Sequence, residues 1–126
     1  QESWNHLMEL EWEQILFQLI LHAGSARSFA KEAAELAESG KWEDADVALQ
    51  QANEEQTQAH KINTNIITKA ARGENIEFSV LLVHALDLLM LAWAEIDNTE
   101  QYIRMAKRIE VLEAEVNKWH DQASKK

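Results

Sequence analysis

The sequence has no cysteine and no proline, and it has only three glycines among 126 residues. The lack of cysteine excludes disulfides, thiolate metal sites and cysteine nucleophiles, and it is consistent with a reducing compartment such as the cytoplasm. A chain with so few residues that interrupt helices is expected to form mostly long helices. The length predicts a single domain over residues 1–126.

Basic residues are also scarce. The chain has 12 Lys and Arg and 22 Asp and Glu, which gives a formal net charge of −10 at pH 7. An acidic chain is a poor partner for nucleic acid or for an anionic membrane surface. No apolar run approaches the roughly 20 residues that a helix needs to span a bilayer. We therefore expect neither a nucleic-acid partner nor a membrane partner.

Two glycine-containing turns divide the chain, at Ser39–Lys41 and Ala71–Asn75. Gly40 is placed to end a helix in the left-handed conformation, and Ser79 is placed to cap the start of another. The apolar spacing predicts an all-α, antiparallel three-helix bundle with helices at about residues 2–38, 42–70 and 79–119. In helix one the apolar stripe includes Leu16, Phe17, Leu19, Leu21 and Ala23, whereas helix two has a thin stripe and one polar face.

Helix three changes character along its length. Residues 80–96 are apolar nearly all round, and two neighbouring helices cover only part of such a surface, so the remainder predicts contact with another subunit. From residue 102 the pattern becomes amphipathic and could extend beyond the other helices as a coiled coil. Its apolar positions are Tyr102, Met105, Ile109, Leu112, Val116 and Trp119.

Two polar residues interrupt the leucine-rich stretch LLVHALDLLM, namely His84 and Asp87. A histidine there is either a packed side chain or a nucleophile, and an aspartate is either a surface acid or a group held at a subunit contact. Other motifs are weaker. Glu2, His6 and Glu9 have spacings that could bind zinc, but such triples are common on acidic helices.

Four segments carry a resemblance to a known family. They are ILFQLILHAGSARSFAKEA, GKWEDAD, QAHKINT and GENIEFSVLLVHALDLLM, in that order along the chain. Together they resemble the lactose/cellobiose-specific IIA component of the phosphotransferase system (PTS), over about residues 9–93. The resemblance implies a three-helix bundle that associates as a homotrimer with helix three at the centre.

The resemblance also implies a chemistry. Members of this family accept a phosphoryl group on a histidine from the phosphocarrier HPr and pass it to a IIB protein. The matching histidine is His84. The family's motif aspartate corresponds to Asp87, where the resemblance implies a divalent metal, Mg²⁺, on the trimer axis. Three carboxylates around one axis would repel each other unless a cation or protons neutralise them.

The chain departs from the family pattern around this histidine. Leu86 stands in place of a glutamine, Leu88 in place of a second histidine, and Leu91 in place of a small polar residue. A phosphohistidine carries about two negative charges that need donors, so leucine neighbours disfavour it. We interpret these changes as signs that the chain is an engineered assembly variant, a trimeric scaffold with impaired phosphotransfer. Natural divergence is the alternative explanation of its origin. An active phosphocarrier is the alternative function.

Overall fold

The computed structural model describes the backbone of residues 2–125 and the side chains of residues 11–125. It contains α1 (Glu2–Glu38), α2 (Trp42–Ala71) and α3 (Val80–Ser124), and residues 2–125 include no strand. The all-α, three-helix prediction is confirmed. The third helix ends at Ser124 rather than near Trp119, because neither glycine nor proline follows Trp119 to stop it. The proposed zinc triple Glu2, His6 and Glu9 lies outside the described side chains.

Both turns close in the same way. Gly40 has a φ of 74°, and the Lys41 N–H donates to the Leu36 carbonyl oxygen at 2.9 Å. Gly73 has a φ of 81°, and the Glu74 N–H donates to the Lys69 carbonyl oxygen at 3.1 Å. In each turn, this hydrogen bond satisfies a backbone carbonyl that would otherwise be unpaired at the end of the helix. The turn requires positive φ at one residue, which glycine tolerates. The chain therefore reverses twice, and α1 and α3 run parallel.

The core is lined mostly by alanine, which lets the helix backbones approach closely. Its fully buried large side chains are Leu16 and Leu19 of α1 and Leu89 and Ile96 of α3, and α2 adds the buried Ile66. The predicted stripe on helix one was too wide, because Phe17 and Leu21 point outward and are more than half exposed. The buried alanines are Ala23, Ala26, Ala30, Ala33, Ala37, Ala45, Ala48, Ala52, Ala59, Ala85 and Ala92.

Two buried polar side chains bond to the backbone of a neighbouring helix. The Gln56 amide of α2 donates to the Leu89 carbonyl oxygen of α3 at 3.2 Å. The Thr99 hydroxyl of α3 donates to the Ala30 carbonyl oxygen of α1 at 3.3 Å. A buried polar group is stable only when it is hydrogen-bonded, so these two bonds favour one relative position of the three helices.

The C-terminal part of α3 extends past the other helices. The Trp42 indole N–H, at the start of α2, donates to the Glu110 carboxylate at 2.8 Å, and the Lys107 ammonium lies 5.7 Å from the Trp42 ring centroid. These contacts mark the end of the bundle. Every side chain from Lys107 to Lys125 is exposed, so α3 projects beyond Glu110 for roughly 20 Å at 1.5 Å per residue.

No helix in the described part of the chain combines the length and the apolar character needed to cross a membrane.

Candidate functional site

His84 lies on the outward face of α3. The inward face is defined by buried residues Leu82, Ala85 and Leu89, and each successive residue turns about 100° around a helix. His84 is therefore rotated away from the core, and its side chain is exposed. The N-terminal end of α3 is fixed by Ser79, whose hydroxyl accepts a hydrogen bond from the Leu82 N–H at 3.1 Å. The predicted Ser79 cap is confirmed.

Leucines surround His84 along its own helix. Leu88 is half-buried one turn later, and Leu91 follows with 51% of its side chain exposed. Both lie on the same side of α3 as His84, because they follow it by four and seven residues. Leu86 lies on another side of α3, and both Leu86 and Leu88 pack against the core. Within one chain, then, two leucines border the histidine on the helix surface and the third does not.

Four polar side chains in the family-like segments of α1 and α2 are candidate donors for a phosphoryl group at His84. Arg27 is half-buried, and its Nε is enclosed with no hydrogen-bond partner among the described residues. His60 is exposed, and its ring centroid lies 5.4 Å from that of Trp93. Ser28 and Lys61 are exposed on α1 and α2. In the described part of one chain none of these four side chains forms a hydrogen bond with His84.

One ionisable pair was missed by the sequence reasoning. The His22 Nδ1 and the Glu55 carboxylate lie 2.6 Å apart and join α1 to α2, and each side chain is about one-third exposed or less. Their separation of 33 residues gives no local spacing signal, and only the predicted pairing of the two helices could have suggested the contact. His22 is half-buried in this pair, whereas His60 is exposed.

Asp87 lies on the same outward side of α3 and is exposed. Among the described residues of one chain, no three His, Asp or Glu side chains form a group that could hold a metal ion. Carboxylate oxygens are suitable ligands for Mg²⁺, but a single carboxylate does not make a site. A metal held by three protein side chains at Asp87 would therefore require ligands from other copies of the chain.

The outward side of α3 is apolar around these two polar residues. Val80, Val83, Met90 and Leu91 are all at least 40% exposed, and α1 and α2 cover none of them fully. A contiguous apolar surface of this kind is uncommon on a monomeric protein and is typical of an interaction surface. We call Val80, Val83, Met90 and Leu91 the outer α3 surface.

A separate groove of about 870 Å³ lies between the N-terminal half of α1 and the C-terminal half of α2. Its lining includes Trp12, Ile15, Ile62 and Ile66, with Arg72 at the end of α2, and it does not include His84 or Asp87. The histidine thus lies on an open helix surface rather than inside a pocket of one chain.

The fold and the motif around His84 match known proteins. The family described as the PTS system, lactose/cellobiose-specific IIA subunit, matches residues 14–107. The lichenan-specific phosphotransferase enzyme IIA component of Bacillus subtilis is 44% identical over 102 residues, covering 81% of this chain and 93% of that protein. The lactose-specific EIIA component of Lacticaseibacillus casei is 34% identical, covering 82% and 92%.

Solved structures agree with the sequence comparisons. The crystal structure of the PTS cellobiose-specific enzyme IIA from Bacillus anthracis superimposes with a TM-score of 0.76 at 46% identity, covering 78% of this chain and 90% of that one. The molecule is thus a three-helix protein with the architecture of a PTS IIA component. The chain belongs to the PTS lactose/cellobiose-specific IIA family.

Proposed function

We propose that this chain is a working PTS phosphocarrier in which His84 accepts a phosphoryl group from HPr and donates it to a IIB protein. The observation that carries the proposal is the exposed His84 within GENIEFSVLLVHALDLLM, in a chain that belongs to the IIA family. The comparisons favour this function over the impaired assembly variant, since relatives up to 46% identical are named as PTS IIA components. A cytoplasmic location accords with such a role.

The proposed chemistry needs only what an exposed imidazole supplies. A neutral ring nitrogen of His84 attacks the phosphorus, a nitrogen–phosphorus bond forms, and the bond between phosphorus and the donor protein's carrier atom breaks. Transfer to the IIB protein reverses these roles. Both partners must reach the imidazole in turn, which is consistent with its place on an open surface rather than in a pocket.

We propose further that the chain functions as a homotrimer in which the outer α3 surface is covered by the α3 helices of two other copies. Burying Val83, Met90 and Leu91, each 40% exposed or more in one chain, would contribute favourable hydrophobic free energy at roughly 25 cal/mol per Å² of apolar area. Residues of a neighbouring copy would then surround His84. The polar donors that its own helix lacks would come from the other chains or from the half-buried Arg27.

Asp87 is the residue through which such a trimer would hold a divalent ion. Three symmetry-related carboxylates meeting on one axis would repel each other, and Mg²⁺ bound between them would remove that repulsion. The remaining oxygen ligands would be water, as Mg²⁺ usually retains several. The ion's part would be structural, because the phosphoryl transfer above takes place at His84.

The proposed function is tested by phosphorylation in vitro. The chain is incubated with phosphorylated HPr, and intact-mass and peptide mass spectrometry are expected to show an addition of about 80 Da at His84. The phosphorylated chain should then lose this mass when a IIB protein is added. His84→Gln should remove the label entirely, whereas His120→Gln, which changes an exposed histidine far along α3, should leave it unchanged.

Reversal of the two leucine changes separates the two functional interpretations. If the chain is an impaired scaffold, Leu86→Gln combined with Leu88→His should create labelling where the parent chain shows none. If the chain is an active carrier, the parent is labelled already and the double variant changes its rate only. An unlabelled parent whose double variant is labelled would reject the phosphocarrier proposal.

A further inference from the structure

We infer that residues 102–119 of α3 form a parallel coiled coil with the same segment of the other copies of this chain. The inference rests on the proposed assembly through the outer α3 surface and extends it past the end of the bundle. Two-thirds of the segment, residues 108–119, lies beyond residues 14–107, which the family match covers. It therefore concerns a part of the molecule that the family resemblance leaves without a role.

The first observation is a seven-residue repeat of exposed apolar side chains. Tyr102, Ile109 and Val116 are spaced by seven, and Met105, Leu112 and Trp119 follow each of them by three. This is the a and d pattern of a coiled coil. All six side chains are between 43% and 74% exposed in one chain. A lone helix would gain nothing from keeping such a stripe in water, so the stripe requires a partner.

The second observation is the direction of the stripe. Glu110 and Lys107 contact Trp42 and so lie on the side of α3 that faces the bundle. Ile109 lies between them in sequence and points away from it, because residues separated by one or two positions lie on different sides of a helix. The stripe thus lies on the same side of α3 as the outer α3 surface. Copies of the chain that associate through the outer α3 surface would therefore also bring their stripes together.

The third observation is charge complementarity, which specifies the partner. In a parallel coiled coil a g residue of one helix faces the e residue of the next heptad in its neighbour. With the register above, Arg108 at g would face Glu113 at e, and Glu115 at g would face His120 at e. The first pair is of opposite charge, and the second places a carboxylate opposite an imidazole. A second copy in parallel register fits this pattern.

The chain offers a matched pair of positions for the test. Val116 and Val111 are exposed to nearly the same extent, 64% and 63%, in the same projecting segment. Val116 lies at an a position and Val111 lies at c, outside the stripe. Because the protein has no cysteine, Val116→Cys and Val111→Cys each introduce a single thiol into the full-length chain.

Mild oxidation is expected to link copies of the Val116→Cys chain by disulfides and to leave the Val111→Cys chain unlinked. In a trimer one disulfide joins two of three copies, so a denaturing gel should show about two-thirds of the chains as linked pairs. Light scattering on both variants before oxidation gives the assembly mass. Equal linking at the two positions, or none at Val116 in a sample with trimer mass, would overturn the inference.

The same samples distinguish this inference from the proposed function. A mass of one chain would overturn both the coiled coil and the proposed trimer. Labelling of His84 by phosphorylated HPr reports on phosphotransfer alone, and we expect it in both cysteine variants. Phosphotransfer lost with cross-linking retained, or the reverse, would therefore identify which of the two proposals fails.

Discussion

The outward sides of α2 and α3 differ in chemistry although both helices belong to one small bundle. The outward side of α2 carries mainly Glu, Gln, Asn, Thr and Lys, and its exposed large apolar residues are Val47 and Ile67. The outward side of α3 carries the outer α3 surface and, further along, the heptad stripe. Its polar exceptions include His84 and Asp87.

This difference indicates which side of the bundle meets water and which meets another chain. Burial within one chain cannot explain an apolar outward side, because those side chains gain no stability there. A polar outward side needs no further partner. The molecule therefore has one side suited to solvent and one suited to association, and the proposed phosphoryl acceptor belongs to the associating side.

The largest expected effect on association comes from introducing two carboxylates on the outward side of α3. The same change on the outward side of α2 serves as the control. Val83→Glu combined with Leu91→Glu should weaken association by about a thousandfold, or about 4 kcal/mol, because unpaired carboxylates would be buried between copies. Val47→Glu combined with Ile67→Glu makes the same chemical change on α2 and should leave the assembly mass unaltered. Sedimentation velocity over a range of protein concentrations measures both, and equal behaviour of the two pairs would remove the distinction between the sides.

A smaller effect, on the free energy of unfolding, is expected from a substitution on the inward side of α3. Leu89 is fully buried, so Leu89→Ala should lower the free energy of unfolding by about 3 kcal/mol through lost contacts and a residual cavity. Urea denaturation monitored by circular dichroism measures the change. Leu91→Ala should cost less in a dilute sample and progressively more as the protein concentration rises. A loss for Leu89→Ala of under about 1 kcal/mol would show that the core around α3 is looser than its burial indicates.

The smallest expected effect comes from the carboxylate on the associating side. In the presence of a chelator, Asp87→Leu should raise the melting temperature of the assembly by a few degrees, or about 1 kcal/mol, because it removes repulsion between three carboxylates. Adding Mg²⁺ should stabilise the parent chain and not the variant. Asp97→Leu changes an exposed carboxylate further along α3 and is the control. A lower melting temperature for Asp87→Leu would place Asp87 away from the axis.

Most of the fold followed from local signals in the sequence. Gly40 and Ser79 marked a helix end and a helix start, and the structure gives them a positive φ and a capping bond respectively. The buried polar side chains were missed, because an apolar pattern passes over them. A signal was present all the same. The buried positions of α2 keep a spacing of three or four through Ala52, Gln56, Ala59, Asn63 and Ile66, and the two amides occupy steps in that series.

The candidate site was predictable only in part. His84 and Asp87 stood out because polar residues are rare in that stretch, and the structure places both on the outward side of α3. The surroundings of His84 could not be read from the sequence, since they depend on which side chains other copies bring to it. The contact between His22 and Glu55 joins residues far apart in the chain, and no periodic pattern marks such a pair.

The alanine lining of the core has a consequence for how His84 is presented. Small side chains form low ridges, so a helix could slide or turn against its neighbours with little loss of packing. The hydrogen bonds that join α3 to the other helices, those of Gln56, Thr99 and the Trp42–Glu110 pair, therefore help to set the angle and height of α3. A shift of α3 by one residue against its neighbours would rotate the His84 imidazole by about 100° around the helix axis. The imidazole would then leave the side of α3 that partner proteins reach. Three hydrogen bonds and the buried side chains of Leu89 and Ile96 therefore orient the histidine.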